Sequence, residues 1–131
     1  MKYKGISTIS VHSGEYIDEV VKAVVTPIFQ SSTFLLSDKE YEKILEGKER
    51  GVNIYTREGN PTRRAVEEKI MALEKAEDAL TFSSGMAAVA ASLLSVLKKG
   101  DHLISTFDLY GGSSLFLKRD LPHLGIESTL V

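Results

Sequence analysis

Apolar positions are densest in the middle of the chain, where their pattern changes from strand-like to helix-like and back. The apolar stretch Ala79–Phe82 predicts a short strand, which is followed by the small residues Ser83-Ser84-Gly85. The run Gly85–Leu97 is rich in alanine and leucine and predicts a helix of about 20 Å, at a rise of ~1.5 Å per residue. The next stretch, His102–Phe107, predicts a second strand, buried and parallel to the first.

The flanking segments predict further elements. Residues 1–35 have little helical periodicity and predict an extended arm that turns at Gly14. Its part Val20–Phe34 is rich in β-branched residues and contains Pro27, and both features favour extended backbone. Helices are predicted over 37–47, 61–76 and 113–121, a strand-like segment at the start of 52–62, and a last strand over 126–131.

The predicted strands over 79–82, 102–107 and 126–131 fit one parallel sheet, so the expected fold class is α/β. We expect residues 1–50 to form an N-terminal arm and a connector helix. The last strand would leave an apolar edge, which natural sheets cover or pair. We therefore expect residues 51–131 to form the first part of a larger α/β domain.

Composition narrows the range of partners. The 131 residues include 16 Lys and Arg against 18 Asp and Glu, and this balance without a basic run argues against nucleic acid. The chain has no cysteine, and its three histidines are scattered without metal-ligand spacing. No apolar run is long enough for a bilayer, and the N-terminus lacks the apolar core of a signal peptide. We therefore expect a cytoplasmic protein without a metal, nucleic-acid or membrane partner.

The turn Ser83-Ser84-Gly85 is a candidate anion site. The first turn of the helix that follows carries no acidic side chain, so free backbone N–H groups can face a ligand. Together with the positive end of the helix dipole, such donors typically bind phosphate. The same small residues are also common where a strand turns tightly into a packed helix, so the motif alone leaves both interpretations open.

Tyr110 is a candidate contact of the same ligand. The strand over 102–107 delivers Asp108-Leu109-Tyr110-Gly111-Gly112 to its carboxyl end, where open α/β sheets bind ligands. A phosphate site and an aromatic ring at one sheet edge suit a phosphorylated, flat, aromatic cofactor. Taken alone, Tyr110 is more typical of a core or rim position.

A third group of candidates lies near residue 55. A period of two places Tyr55 and Arg57 on one face of a strand, and a planar guanidinium beside a phenol suits a phosphate or carboxylate. An edge tyrosine and a solvated arginine explain the same pattern. Asn60 can cap the following helix, with Pro61 at its first position.

The helix predicted over 61–76 is expected to be amphipathic. A stripe expected to be buried comprises Val66, Ile70 and Leu73. The charges of its first turns, Arg63 and Arg64, are interpreted as solvated and paired with Glu67 and Glu68.

Four motifs in this order resemble the Cys/Met-metabolism (transsulfuration) family of pyridoxal-phosphate-dependent enzymes. They are Tyr55-Thr56-Arg57, Gly59-Asn60-Pro61-Thr62, Ser83-Ser84-Gly85-Met86-Ala87 and Tyr110-Gly111-Gly112-Ser113. The segments 11–14 and 27–34 are similar to the family's opening segments, so the resemblance covers essentially the whole chain. The family includes cystathionine γ-synthase, cystathionine lyases, methionine γ-lyase and homoserine-ester sulfhydrylases, and the subtype stays open.

The resemblance implies a fold and a cofactor. The fold is the mostly parallel large-domain sheet of aspartate-aminotransferase-like enzymes (fold type I), and the cofactor is pyridoxal 5′-phosphate. In such enzymes Ser84, Gly85 and Met86 would hold the cofactor phosphate. Tyr110 would stack on the pyridine ring and help to move protons at an amino-acid substrate.

The resemblance also implies an oligomer. Tyr55 and Arg57 would reach the phosphate of the cofactor in an adjacent subunit. The N-terminal arm would wrap a neighbouring subunit of a homo-oligomer, a dimer of dimers.

The implied activity is that of a carbon–sulfur lyase or a γ-replacement synthase. In the family, the lysine that holds the cofactor covalently lies downstream of the position of Val131, so the isolated chain is expected to be inactive. It would be a truncated chain, a proteolytic fragment or one half of a split enzyme with a companion chain.

The alternatives to this function are a non-catalytic subunit that contributes phosphate contacts to a partner and a generic phosphate- or nucleotide-binding domain. The last is disfavoured because no G-x-G-x-x-G or Walker-type loop follows a predicted strand.

Overall fold

The structure, a computed structural model, describes residues 5–49 and 51–131. It divides into a first compact unit that ends at Thr81 and a second unit from Phe82 to Val131. The helices are α1 (Ile6–His12), α2 (Asp38–Leu45), α3 (Pro61–Glu74), α4 (Gly85–Val96), α5 (Gly111–Leu115) and α6 (Leu121–His123), with a π-helical turn (Phe116–Asp120) before α6. The strands are β1 (His102–Ser105) and β2 (Glu127–Leu130). The domain boundary expected near residue 50 stays a prediction.

The longest of the described helices, α3, has 14 residues. Within the residues described, none of them combines the length and the apolar character needed to cross a membrane.

The strands of the second unit form a parallel sheet, with His102 opposite Glu127 at the start of the register. Exposed and half-buried residues alternate along both strands, so one face of the sheet packs inward and the other is open. Leu103 and Leu130 pack inward, whereas Ile104 is 66% exposed. The two later predicted strands are therefore confirmed as parallel partners, but the expectation of full burial for β1 is wrong.

The strand predicted over Ala79–Phe82 is absent from the described chain, whose sheet has two strands. The backbone N–H of Thr81 donates instead to Oε1 of Glu67, at 3.1 Å. A strand needs ladder partners for its backbone groups, and here a side-chain carboxylate takes one of those donors. This part of the three-strand prediction is wrong.

The core of the second unit lies between the helices and the inward face of the sheet. Leu117, Leu121 and Ile126 are its buried members, each at most 3% exposed. The side chains that pack around them are Leu93, Leu97, Leu103, Leu109, Phe116 and Leu130. Removal of this apolar surface from water is the main force that holds the helices on the sheet.

The helix predicted to stop before Pro122 continues through it. The N–H of Leu121 bonds to the carbonyl of Phe116, five residues back, so the helix widens into the π-helical turn. In that register the carbonyl of Leu117 would need the N–H that Pro122 lacks. Oγ of Ser128 on β2 donates to this carbonyl instead, at 3.0 Å. A side chain from the neighbouring strand thus allows proline inside the helix.

In the first unit, residues 6–12 form α1, although the sequence pattern predicts an extended arm there. Ile9 is buried, and Nζ of Lys69 on α3 donates to the carbonyl of Val11 at 2.8 Å. Gly14 ends the segment with a φ of +71°, and a Cβ there would lie 2.0 Å from the carbonyl oxygen of Ala65. Packing against α3 thus outweighs the weak helix propensity of β-branched residues. The turn at Gly14 is confirmed, and extended backbone over 6–12 is wrong.

Residues 15–35 contain no helix, as the sequence predicts. Thr33 pairs with Tyr55 in a single antiparallel bridge. Val20, Val24 and Leu35 are at least 89% exposed. That these apolar side chains cover a neighbouring subunit remains a prediction.

Two helices begin at the predicted residues. Ser37 caps α2 in a capping box with Glu40, and its hydrogen bonds lower the pKa of that carboxyl group. Asn60 caps α3 by accepting from the N–H of Thr62 at 2.9 Å, and Pro61 occupies the first helical position. These local signals act between neighbours in the chain, so the sequence alone could reveal them.

The buried face of α3 is polar, in contrast to the predicted stripe. Val66 and Ile70 are 49% and 47% exposed, whereas Glu67 is 1% exposed. The interpretation of the early charges as solvated is therefore wrong for Glu67. Its pairing with Arg63 is confirmed, with Nε of Arg63 lying 3.4 Å from Oε1 of Glu67.

We expect Leu121→Ala to destabilise the second unit by about 2–5 kcal/mol, because the side chain is fully buried and its loss leaves a cavity. The matched control is Leu124→Ala, since Leu124 is 49% exposed and should cost under about 1 kcal/mol. Urea unfolding followed by circular dichroism measures both. Equal losses from the two variants would contradict the assigned core.

Candidate functional site

The amino end of α4 presents unused hydrogen-bond donors. Ser84 is its N-cap, with extended backbone, and its Oγ accepts from the N–H of Ala87 at 3.1 Å. Within the described chain the N–H groups of Gly85 and Met86 have no acceptor. The first turn contains no acidic residue, so the helix dipole there is not neutralised by the chain itself.

Gly85 leaves this helix end accessible. A Cβ built on Gly85 would meet no atom within 4 Å, so the space before the helix is open. The donor set consists of neutral N–H groups, a serine hydroxyl and the positive end of a twelve-residue helix. This chemistry fits a phosphate group, which accepts several hydrogen bonds and carries negative charge.

Tyr110 lies next to the same helix end. Its ring is 75% exposed, and it immediately precedes α5. A Cβ added to Gly112 would lie 2.7 Å from Cε1 of Tyr110 and 3.2 Å from Sδ of Met86. Gly112 therefore separates the tyrosine ring from the first turn of α4. The structure thus brings Tyr110 and Met86 together, and their contact with a cofactor stays a prediction.

Tyr55 and Arg57 form a pair in the first unit. The guanidinium carbon of Arg57 lies 5.2 Å from the centroid of the Tyr55 ring, a cation–π geometry. The Arg57 side chain is 79% exposed and also binds the carboxylate of Glu58 at 2.8 Å. The two side chains lie together beside a shallow groove of about 430 Å³ lined by residues 29–32 and 55–57. The strand expected at the start of 52–62 is wrong, because Tyr55 makes a single bridge and residues 56–58 form a turn.

Asn60 and Thr62 connect this pair to the preceding segment. Nδ2 of Asn60 donates to the carbonyl of Phe29 at 2.9 Å and to Oγ1 of Thr56 at 3.1 Å. Oγ1 of Thr62 accepts from the N–H of Phe29 at 2.8 Å and donates to the carbonyl of Pro27. The Gly59–Thr62 motif therefore holds the groove wall against the start of α3, which is a structural role.

Arg63 is a residue of this region that the sequence reasoning missed. Its guanidinium donates to the backbone carbonyls of Thr56, Arg57 and Glu58. The sequence signal was the pair of charges one turn apart, Arg63 and Glu67, which is equally common on solvated helices.

Arg64 differs from Arg63 in its partners. It binds Glu68 at 3.1 Å and Asp78 at 2.8 Å, and the hydrogen bond to Asp78 raises the pKa of Arg64. Like Arg63, it also lies near Glu67, at 3.8 Å, but it donates to no carbonyl of the segment 56–58.

No cluster of metal-ligating side chains occurs among residues 5–49 and 51–131. Over the same ranges, no lysine is buried, and Lys69 alone is half-buried. A lysine that reacts with a carbonyl compound is usually desolvated, so none of these amines has the surroundings of such a residue.

The fold and these groups define a class of protein, an α/β protein with a parallel sheet and a helix end with unpaired N–H donors beside an exposed aromatic ring. A sequence profile of the family described as "Cys/Met metabolism PLP-dependent enzyme" matches residues 7–131. The chain belongs to this family. Pyridoxal phosphate is the family's cofactor, as its description states, and the predicted resemblance is confirmed.

Individual relatives agree with the family assignment. The chain is 37% identical over 131 residues to an L-methionine gamma-lyase of Fusobacterium nucleatum, covering 100% of the chain and 33% of the relative. It is 40% identical over 124 residues to the cystathionine gamma-lyase of Bacillus subtilis, covering 95% of the chain and 30% of the relative. The chain therefore spans about a third of the length of these curated relatives.

A solved structure confirms the fold. The crystal structure of metB from Corynebacterium glutamicum superposes with a TM-score of 0.85 at 36% identity, covering 99% of the chain and 32% of that structure. The expected α/β fold of this enzyme class, with a parallel sheet, is therefore confirmed.

We expect Gly112→Ala to displace the ring of Tyr110, because the new methyl group would lie 2.7 Å from Cε1. The ring is exposed and can swing into solvent, so stability should change by only about 0.5 kcal/mol. Chemical shifts of the Tyr110 ring protons measure the displacement. Gly111→Ala is the matched control, since a Cβ there meets nothing within 4 Å. Unchanged shifts in Gly112→Ala would contradict the described contact.

Proposed function

We propose that the chain is part of a pyridoxal-phosphate-dependent enzyme of sulfur amino-acid metabolism, acting as a carbon–sulfur lyase or a γ-replacement synthase. The observation that carries the proposal is the pair of free N–H groups at Gly85 and Met86 beside the ring of Tyr110. The family match and relatives named as lyases of L-methionine and cystathionine support the substrate class, a sulfur-containing amino acid.

In this proposal Ser84, Gly85 and Met86 bind the cofactor phosphate. Their N–H and hydroxyl groups donate to its oxygens, and the α4 dipole stabilises its negative charge. Bound pyridoxal phosphate supplies the sink for the electron pair left when a proton leaves the α-carbon of an amino acid. Tyr110 contributes an aromatic face for the cofactor ring and a hydroxyl group that moves a proton near the substrate.

We further propose that Tyr55 and Arg57 bind the cofactor phosphate of an adjacent subunit in a homo-oligomer, a dimer of dimers. Both side chains are exposed in this chain, at 42% for Tyr55 and 79% for the Arg57 side chain. An exposed phenol and guanidinium on one face are available to a second subunit, and the guanidinium fork matches phosphate oxygens.

A second candidate function is that of a subunit which contributes phosphate contacts but performs no chemistry itself. The observation that favours it is that none of the described lysines is buried. Under either function, we propose that the chain alone does not turn over substrate. The lysine that holds the cofactor covalently would then come from residues outside this sequence or from a companion chain.

An assay of the intact protein that contains this chain tests the activity. With pyridoxal phosphate added, we expect turnover of L-methionine, cystathionine or a homoserine ester with sulfide, measured by release or consumption of thiol. This chain alone is the control and should give none. An intact protein that binds the cofactor but acts on none of these compounds would favour the non-catalytic subunit.

Binding to the chain itself can be measured without activity. Titration with pyridoxal phosphate should shift the amide resonances of Gly85 and Met86 in nitrogen–proton NMR spectra. Inorganic phosphate should shift the same resonances more weakly because it lacks the ring. Shifts confined to other residues would remove the α4 end from the site.

We expect Arg57→Ala to weaken cofactor retention in the intact protein by roughly 1.5–3 kcal/mol, as is typical for hydrogen bonds to charged groups. The matched control is Arg119→Ala, since Arg119 is also exposed and also binds the next residue, Asp120, at 2.7 Å. Equilibrium dialysis of the cofactor gives both affinities. Equal affinity in wild type and Arg57→Ala would exclude Arg57 from the site.

A further inference from the structure

Three successive backbone carbonyls converge on one guanidinium. Nη1 of Arg63 donates to the carbonyl of Thr56 at 3.2 Å and to that of Arg57 at 2.9 Å, and Nη2 donates to that of Glu58. A planar fork with several donors can satisfy carbonyls in different directions at once, which a single ammonium group cannot do as well. These contacts fix the backbone from which the side chain of Arg57 extends.

The guanidinium is itself held from behind by a buried acid. Glu67 is 1% exposed, one helical turn after Arg63, and its Oε1 lies 3.4 Å from Nε of Arg63. The same oxygen accepts from the N–H and the hydroxyl of Thr81, at 3.1 Å and 3.2 Å. Burial of a carboxylate is costly unless charges and donors surround it, so Glu67 favours a position of Arg63 within ion-pair distance, although Nε of Arg63 makes no hydrogen bond among the described residues.

Arg63 and its neighbour Arg64 both contact Glu67 but differ in their remaining partners. Arg64 otherwise pairs with the carboxylates of Glu68 and Asp78. The terminal nitrogens of Arg63 instead donate hydrogen bonds to the backbone of the loop that carries Arg57. The Arg57 side chain stays 79% exposed, so the loop has a fixed backbone and a free cationic end.

We propose that Arg63, restrained by Glu67, is a positioning residue that aims Arg57 at the cofactor phosphate. The inference rests on the function proposed above, in which Arg57 binds that phosphate. It predicts that Arg63 acts on cofactor binding through Arg57, without touching the cofactor.

The test is a double-mutant cycle in the intact protein loaded with pyridoxal phosphate. Arg63→Lys keeps the charge but loses the fork, and we expect it to weaken cofactor affinity about tenfold, the loss of roughly one strong hydrogen bond. In an Arg57→Ala background most of this effect should disappear, since coupled residues are non-additive. Equilibrium dialysis gives the affinities, and phosphorus NMR of the bound cofactor reports the surroundings of its phosphate directly.

Two further variants separate positioning from folding. Arg64→Lys is the matched control, because Arg64 also lies near Glu67, at 3.8 Å, but donates to no carbonyl of the loop that carries Arg57. We expect it to change cofactor affinity by less than about twofold. Glu67→Gln keeps the size and the acceptor for Thr81 but removes the charge behind Arg63, so it should weaken affinity in the same direction. Thermal unfolding midpoints show which variants remain folded. If Arg63→Lys does not fold, the affinity of Glu67→Gln tests the positioning role in its place.

The outcomes distinguish the inference from the proposed function. If Arg57→Ala weakens binding while Arg63→Lys and Glu67→Gln leave it unchanged, the positioning role alone is overturned. The same conclusion follows if the effects of Arg63→Lys and Arg57→Ala simply add. If Arg57→Ala itself has no effect, the proposed phosphate contact of Arg57 fails and the positioning role fails with it.

Discussion

The first unit depends on the burial of one carboxylate. Glu67 is 1% exposed, and a charge in that position needs ion pairs and hydrogen bonds in place of water. Arg63 and the N–H and hydroxyl of Thr81 supply them. Because Thr81 gives its N–H to this acid, it cannot give it to a sheet neighbour. Because the acid lies on the inward face of α3, Val66 and Ile70 of that helix lie about half-exposed. One buried charge therefore explains two departures from the hydrophobic pattern.

The second unit has an apolar centre, in contrast to the buried charge of the first unit. Its centre is an apolar cluster of Leu117, Leu121 and Ile126, and Ser128 satisfies the carbonyl that Pro122 leaves free. At the amino end of α4, the N–H groups of Gly85 and Met86 stay without an acceptor within the described residues. Unpaired donors at an open helix end are available to water or to a ligand.

Sequence reasoning succeeded where the determinants are local. The caps of α2 and α3, the span of α4 and the strands after residue 100 depend on neighbours in the chain, and all follow from turn chemistry and periodicity. It failed for α1, whose helix depends on contacts with α3, and for 79–82, where a distant acid competes for a backbone donor. The site residues came from motif order, which a family resemblance can reveal. Arg63 could not be found this way, because the targets of its side chain are backbone carbonyls that leave no mark in the sequence.

The same physics explains why Arg57 can be paired and still available. Its partner Glu58 is the next residue, and both side chains are exposed, at 79% and 39%. An exposed ion pair of this kind contributes only ~0–1 kcal/mol, because water solvates both charges well. In the proposed site, a phosphate held by other donors would offer hydrogen bonds to a charged group worth about 1.5–3 kcal/mol, so exchange of Glu58 for phosphate would be favourable. The exchange costs little backbone entropy if the loop is already fixed, and the carbonyl contacts of Arg63 fix it. A loop that is fixed in advance thus loses less conformational entropy when its arginine binds an anion.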